Sequence, residues 1–299
     1  MVVNLKTFAK DLTYQADTSV RQIFKDLKEL AEIKQLAEQK AAYFSTWGWL
    51  GVGLILVSIF VWFFVVNIFG SDGTRFGFIM LVIPIVIATI FCWVKLSYYN
   101  KLKLREERCE LPKKILSMVN RDRTPKSNVK IRIHFTPAGK MGKKIQTLPH
   151  PSKRGWKLDI FEDQWLTIEG KFLDSTNFFL TVTELNRRAY GWNTVNNKSK
   201  WKSKDKYKGT EINLRLTFPS KKYGATSFLQ QAAPEAVKLP EEVNLKRMKV
   251  TPKAIDLTVN TSHFFKQEEM YQTITMMFLS LYQILNFAKW LSRKRQKLS

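Results

Sequence analysis

The sequence predicts an α+β membrane protein in which a hairpin of two transmembrane helices carries a basic, β-rich cytoplasmic domain. Two long uncharged apolar runs near the N-terminus, and a change of hydrophobic period from 3.6 to 2 after residue 128, indicate this class. The third observation is charge, since the 299 residues have a formal net charge of +24. The predicted order is an N-terminal amphipathic helix, the hairpin, an antiparallel sandwich or open barrel, and a long C-terminal helix.

Residues 1–45 are predicted to form an amphipathic helical arm in the cytoplasm. Apolar residues recur at steps of three and four between positions 19 and 43, with charges of both signs between them. Asp17, Thr18 or Ser19 can cap this helix, and a shorter amphipathic piece covers residues 5–12. The apolar stripe needs a partner, either within the chain or in an oligomer.

Residues 46–94 are predicted to form the transmembrane hairpin, with spans at 46–69 and 76–94. Neither run contains a charged side chain, and ~20 apolar residues suffice to cross a ~30 Å hydrocarbon core. The short segment between the runs can only reverse the chain, and it cannot hold a pore loop. The predicted membrane-interface anchors are aromatic residues near the ends of the runs: Trp47, Trp49, Trp93, Tyr98 and Tyr99.

The orientation of the hairpin follows from its flanking charges. Lysine and arginine residues precede the first run and follow the second, whereas Arg75 in the connecting turn is matched by Asp72. The positive-inside rule therefore places both termini in the cytoplasm, and we expect an integral protein of a bacterial-type inner membrane. Cys92 lies inside the second run and Cys109 beyond it, which fits a reducing compartment without disulfides.

Residues 95–128 are predicted to continue the second span as a juxtamembrane helix followed by a linker. Leu111 should end that helix because Pro112 disfavours helical backbone in the residue before it. From residue 95 onward the chain has 41 Lys/Arg against 18 Asp/Glu, a surplus of +23. A basic surface of this size requires an anionic partner, which can be lipid headgroups, an acidic protein or nucleic acid.

Residues 129–260 are predicted to form the basic β-rich domain. Apolar and polar side chains alternate there, which is typical of antiparallel strands with one buried face. The five clearest strands are residues 129–135, 166–172, 178–183, 212–218 and 255–259. A sixth strand is predicted near 156–161, and residues 174–177 form a predicted hairpin turn. Residues 219–252 contain several prolines and are predicted to be a long loop with a short helix at 241–248.

Residues 198–208 have an unusual pattern, because a lysine occupies every second position. On a strand the lysines point to one side and the aromatic residues between them to the other. The same parity would put Leu214 on the lysine side, so a bulge or turn at 209–210 must break the register. Such a strand can bind phosphates, or its lysines can simply keep an edge strand soluble. The candidate anionic-surface residues are Lys198, Lys200, Lys202, Lys204, Lys206, Lys208, Arg187, Arg188, Trp201 and Tyr207.

Residues 261–299 are predicted to form an amphipathic C-terminal helix with a basic tail. Thr261 or Ser262 can cap it. Residues 273–288 contain no charge, so a third membrane span is an alternative, but it would carry the basic tail outside. Packing on the sheet or on a partner is therefore favoured, and an interfacial position in the membrane is also open.

The sequence contains no motif that indicates enzymatic activity. His134, His150 and His263 are remote from one another and from cysteine, and the carboxylates at 159–163 are predicted to mark a turn. We therefore predict no cofactor, no metal site and no small-molecule substrate. The expected function is a non-enzymatic adaptor, assembly factor or accessory subunit whose basic domain docks a protein partner, a second copy or the anionic membrane surface. A membrane-tethered nucleic-acid-binding protein is the alternative, and an oligomeric channel or transport subunit is the second alternative.

Overall fold

The chain divides into two compact units. The computed structural model describes residues 8, 11–69, 72–124, 127–136, 139, 141–195, 198–220, 222–262 and 266–296. The first unit comprises Met1–Leu27 and Glu106–Ser299, and the second comprises Lys28–Arg105. The predicted α+β class is confirmed, because the first unit contains a large antiparallel sheet and a long C-terminal helix.

Two long helices make up the second unit. Helix α1 is Val20–Phe69, which begins in the first unit, and helix α2 is Asp72–Lys101. Both are long and apolar enough to cross a membrane, judged by length and composition. The arm helix and the first apolar run, which were predicted separately, are one continuous helix. The turn predicted at 70–75 falls partly outside the described residues.

Helices α1 and α2 approach closely at a glycine. A Cβ atom at Gly51 would lie 2.2 Å from Thr89 Oγ1, so this approach requires a residue without a side chain. Gly48 lies against Trp93, whereas nothing lies within 4 Å of a Cβ built at Gly53. The contact between the helices therefore follows one face of α1.

The first unit is built on one sheet, so the predicted sandwich of two sheets is wrong. The described residues form eight strands: β1 Thr13–Thr18, β2 Val129–His134, β3 Lys144–Pro149, β4 Lys157–Lys171, β5 Asn177–Val195, β6 Lys198–Thr217, β7 Asn244–Val250 and β8 Ala254–Thr261. The order is β1-β2-β4-β5-β6-β8-β7, and β3 pairs with β4. Among the described strands, β1 and β7 at the two edges do not pair, so the sheet stays open.

One face of the sheet is covered by helices α3, Glu107–Val119, and α4, Gln267–Gln296. Leu214 on this face is 0 % exposed, and burying a side chain of this size contributes about 1.5–3 kcal/mol. The Phe178 and Phe278 rings meet with centroids 5.8 Å apart, which joins the sheet to α4. A single layer of helices therefore replaces the second sheet of a sandwich.

The N-terminal arm was predicted to be helical, but its residues 13–18 form strand β1. Strand β1 pairs with β2, with Tyr14 opposite Ile133, and long-range pairing of this kind is invisible in the local sequence. Of the predicted caps, Ser19 is the one used, since its Oγ accepts the Gln22 N–H at 3.4 Å. Most of the amphipathic piece predicted at residues 5–12 lies outside the described residues.

The second span continues helically beyond residue 94, as predicted, but it stops earlier than expected. Helix α2 ends at Lys101 and α3 begins at Glu107, so Leu111 and Pro112 lie inside α3 instead of ending a helix. Pro112 removes one backbone hydrogen bond, but Leu111 and Ile115 of this helix are at most 1 % exposed. Packing on the sheet offsets the local cost of the proline.

The segment 219–252 is more ordered than the predicted loop. It contains a 3₁₀ helix at Gly224–Leu229, and the short helix predicted at 241–248 is instead strand β7. Strand β7 pairs with β8, with Val250 opposite Ile255, so the sheet edge decides its conformation. The two strands predicted at 156–161 and 166–172 are likewise one strand, β4.

Helix α4 packs within the first unit, as the sequence favoured. Ile274 and Leu281 are 0 % exposed, and α4 is not among the described helices that are long and apolar enough to span a membrane. The predicted caps do not start this helix, because Thr261 is the last residue of β8 and α4 begins at Gln267.

Candidate anionic-surface binding site

Strands β5 and β6 form a hairpin that extends beyond strand β8 and, past Tyr190, also beyond strand β4. They pair along their described lengths, from Asn177 opposite Thr217 to Val195 opposite Lys198. Strand β8 pairs with β6 only from Thr210 onward. In the described part of the chain, β6 therefore has a free edge before that point. We call residues 186–208 the distal hairpin.

A bulge at Lys208 decides where the lysines point. Leu185 lies opposite Gly209 and Asn186 lies opposite Tyr207, so Lys208 is the extra residue. Gly209 has φ 141°, and a Cβ there would lie 2.0 Å from the Thr261 carbonyl oxygen. Only glycine fits this position. The predicted break in register is confirmed, and it lets the lysines point away from the side that becomes the core.

The exposed lysines gather on one side of the distal hairpin. Lys206 lies opposite Arg187, and Lys204 lies opposite Ala189, which places them on one face. We call the set the lysine face: Arg187, Lys200, Lys202, Lys204, Lys206 and Lys208. These residues line a groove of about 780 Å³. The predicted site residue Lys198 is at the start of β6, and its side chain lies outside the described residues.

Positive charge on the lysine face is not neutralised locally. Among the described residues, no carboxylate forms an ion pair with a lysine of this face. The charge of Arg187 lowers the pKa of Lys208, and partial burial and the charge of Lys206 act in the same direction. Neighbouring cations destabilise the charged form of a lysine, and a bound anion stabilises it. The face is therefore suited to binding negative charge.

The loop before β4 adds a further cation and an aromatic ring beside the lysine face. The Trp156 ring rests on Gly191, where a Cβ would lie 2.7 Å from Trp156 Cγ. Its indole N–H donates to the Trp192 carbonyl at 3.0 Å, and Lys153 Nζ lies 4.2 Å from the ring centroid. Lys153 and Trp156 were not among the predicted site residues, because only the pairing of β4 with β5 brings them to this face.

Arg188 lies apart from the lysine face, on the other side of β5. Its Nε and Nη2 atoms donate to the two carboxylate oxygens of Asp205 at 2.6 and 3.0 Å. These hydrogen bonds raise the pKa of Arg188 and neutralise its charge. The structure therefore does not bring this predicted site residue together with the lysines.

An aromatic pair occupies the side of the distal hairpin opposite the lysines. The Trp201 ring meets Trp192 with centroids 5.5 Å apart, and the two side chains are 50 % and 62 % exposed. Trp201 also reaches the rim of the groove. Tyr207 points to the same side but is held inward, because its hydroxyl shares a 2.6 Å hydrogen bond with Thr210. Trp192 was not a predicted site residue, because only the register of β5 on β6 shows that it lies opposite Trp201.

The predicted interface anchors cluster at one end of the helix pair in the second unit. Trp49 and Trp93 meet with ring centroids 5.8 Å apart, and Tyr99 stacks on Phe44 at 5.6 Å. Trp47 and Tyr98 are exposed on the same helices. Aromatic rings of this kind are typical of a membrane–water interface.

A buried cluster of charges lies under the sheet and holds α3. Arg108 Nη2 donates to Asp163 at 2.7 Å and to Glu184 at 3.1 Å, and Lys143 contacts Asp163 at 2.5 Å. Burial is the main factor that lowers the pKa of Lys143. Asp163 belongs to β4, so the turn predicted at 159–163 is wrong. Because the charges cancel within the cluster, it fixes α3 to the sheet rather than offering a binding site.

An apolar cavity of about 500 Å³ lies among α3, the β4–β5 turn and α4. Phe172 and Tyr282 line it, with Asp174 at its rim. Burial opposes ionisation of Asp174, but hydrogen bonds from Thr176 and Tyr223 outweigh it and lower the pKa of Asp174. Burial and the bond to Asp174 raise the pKa of Tyr223 to about 12. These bonds fix the predicted turn at 174–177, so the polar groups of the cavity serve the fold.

No known protein family, no curated protein and no solved structure matches this chain. Within the described residues, no group of three or more His, Cys, Asp and Glu side chains could hold a metal ion. The described residues form a basic face on one side of the distal hairpin and an exposed tryptophan pair on the other.

Proposed function

We propose that the chain is a membrane-anchored, non-enzymatic docking protein whose lysine face binds an anionic partner. In this role it serves as an adaptor, assembly factor or accessory subunit, and the partner is an acidic protein or the anionic membrane surface. The observation that carries the proposal is the lysine face itself, where six aligned cations lack carboxylate partners among the described residues. A surface of one sign attracts and orients an oppositely charged partner.

Anchoring in a membrane draws support from the exposed apolar surface of the second unit. Phe60, Phe63 and Ile87 are between 61 % and 67 % exposed on α1 and α2. Contiguous apolar surface of this kind is unfavourable in water and favourable in lipid. The aromatic cluster at one end of the helix pair suits the interface that such anchoring requires.

The strand pairing of the first unit supports a helical hairpin in which α1 and α2 each cross the membrane once. Strand β1 precedes α1 and strand β2 follows α2, yet the two strands pair directly. A single crossing would separate them across the bilayer, whereas two crossings return the chain to the same side. With the positive-inside rule, that side is the cytoplasm of a bacterial-type inner membrane.

The docking role is tested by purifying the full chain in mild detergent and identifying what co-purifies by mass spectrometry. Replacing Lys200, Lys202, Lys204 and Lys206 with Gln should deplete the anionic partner. The matched control replaces four exposed lysines elsewhere in the first unit: Lys130, Lys171, Lys249 and Lys253. If both variants retain the same partners as the unchanged chain, the lysine face does not dock anything.

A membrane-tethered nucleic-acid-binding protein is the second candidate, supported by the cations of the lysine face and by the exposed Trp192 and Trp201 on the other side of the same hairpin. Bases stack on aromatic rings, and phosphates bind cations with strong salt dependence. Salt-titrated binding of DNA and RNA to the full chain tests it, and binding without salt dependence would contradict it. The channel alternative has no support here, since the apolar runs contain no charged residue to mark an ion path.

A further inference from the structure

We propose that the distal hairpin binds the headgroups of an anionic phospholipid bilayer through the edge of β6 before Thr210, along which no described strand pairs. The lysine face contacts the phosphates, while Trp192 and Trp201 enter the interfacial layer. This inference rests on the proposed docking function and names its partner. It adds a second, reversible membrane contact to a chain already anchored by its helices.

The free edge lets both sides of the distal hairpin reach one flat surface. Successive side chains of β6 alternate between the two sides, so a bilayer that meets the edge meets lysines from one side and Trp201 from the other. Trp201 already reaches the rim of the groove, although it lies on the side opposite Lys200 and Lys202. Lysine and tryptophan are both amphipathic and both place their polar ends at a membrane surface.

The same arrangement suits nucleic acid less well. Stacking needs an open ring on the side that holds the phosphates, and the ring on the lysine side is Trp156. Trp156 is only 9 % exposed, and Lys153 Nζ lies over it. The exposed rings of Trp192 and Trp201 meet edge to face on the opposite side. A base stacked there would leave its phosphates far from the lysines.

The proposed anchoring also favours a bilayer over a free acidic protein. A chain held by α1 and α2 keeps its first unit near the membrane surface, so the headgroups are present at a high effective concentration. Each lysine near an anionic surface strengthens binding by ~fivefold, and the contributions of several lysines multiply. Several weak contacts between lysines and headgroups are therefore enough to hold the distal hairpin on the bilayer surface.

The test places the full chain in nanodiscs of phosphatidylcholine and measures flotation with separate liposomes. Liposomes that contain phosphatidylglycerol should bind the protein, liposomes of phosphatidylcholine alone should not, and high salt should release it. Changing Lys200, Lys202, Lys204 and Lys206 to Gln should weaken binding ~100-fold or more. The control quartet at Lys130, Lys171, Lys249 and Lys253 should have a much smaller effect.

The tryptophans provide an independent test. Changing Trp192 and Trp201 together to Ala should weaken flotation about tenfold, whereas changing Trp290, an exposed tryptophan of α4, should not. Equal binding to both kinds of liposome, or equal loss in the control quartet, overturns the inference. If flotation is lysine-independent but an oligonucleotide or an acidic protein binds in a lysine-dependent way, the bilayer is the wrong partner and docking stands. If no binding depends on the lysines, both proposals fail.

Discussion

At the residue scale, Arg108 shows how much a buried charge can matter to this fold. It is 1 % exposed and bonds both Asp163 and Glu184. Its removal leaves the two carboxylates with Lys143 as the remaining cation of the cluster, and breaking a buried pair costs about 3–5 kcal/mol. We expect Arg108→Met to lower the melting temperature of the first unit by about 10 °C, measured in detergent by tryptophan fluorescence. The exposed Arg121→Met is the control, and equal melting of the two variants would refute this role.

Lys208 offers a test of the charge on the lysine face. The neighbouring charge of Arg187 is the largest cause of its lowered pKa, so Arg187→Gln should raise the pKa of Lys208 towards its ordinary value. At a given alkaline pH the neutral fraction of Lys208 then falls, and its rate of reaction with an amine reagent should fall too. Peptide mass spectrometry measures that rate. Arg188→Gln is the matched control, because Arg188 is paired with Asp205 on the other side; an equal effect would contradict the geometry.

At the element scale, the bulge in β6 links the lysine face to the core. Gly209 holds the bulge, with φ 141° and no room for a Cβ beside Thr261. We expect Gly209→Ala to cost about 2–4 kcal/mol and to weaken binding of anionic liposomes, because strain and the clash both act against the register. Gly142→Ala is the control, since nothing lies within 4 Å of a Cβ there. Chemical unfolding and flotation measure the two effects, and unchanged stability would contradict the role of the bulge.

Strands β4 to β6 also show where prediction from sequence stops at this scale. Alternation located the core segments of these strands, and parity required the bulge near Gly209. Alternation did not predict that β5 and β6 stay paired beyond the core. Where both faces of a strand are exposed, apolar and polar residues do not alternate, so the sequence has no signal of a strand. Trp192 and Trp156 therefore joined the candidate site only when the register placed them beside Trp201 and Gly191.

At the scale of the whole molecule, the pairing of β1 with β2 ties together the two ends of the helical hairpin. If α1 and α2 span the inner membrane, protease added to intact spheroplasts should leave the first unit uncut, and lysis should expose it. Immunoblotting against tags at both termini measures this result. Cleavage of the first unit in intact spheroplasts would show the opposite orientation, and cleavage at one terminus only would contradict the paired strands.

The sequence by itself determined the two apolar helices, the excess of positive charge, the positions of the buried strand segments and the alternating lysines. These properties are local, since each depends on the order of side chains along one segment. Only the tertiary structure decided that the sheet is single and open, that residues 13–18 and 244–250 are strands, and that α3 continues through Pro112. Those outcomes depend on partners distant in sequence, because pairing at a sheet edge and burial under a helix outweigh local preference.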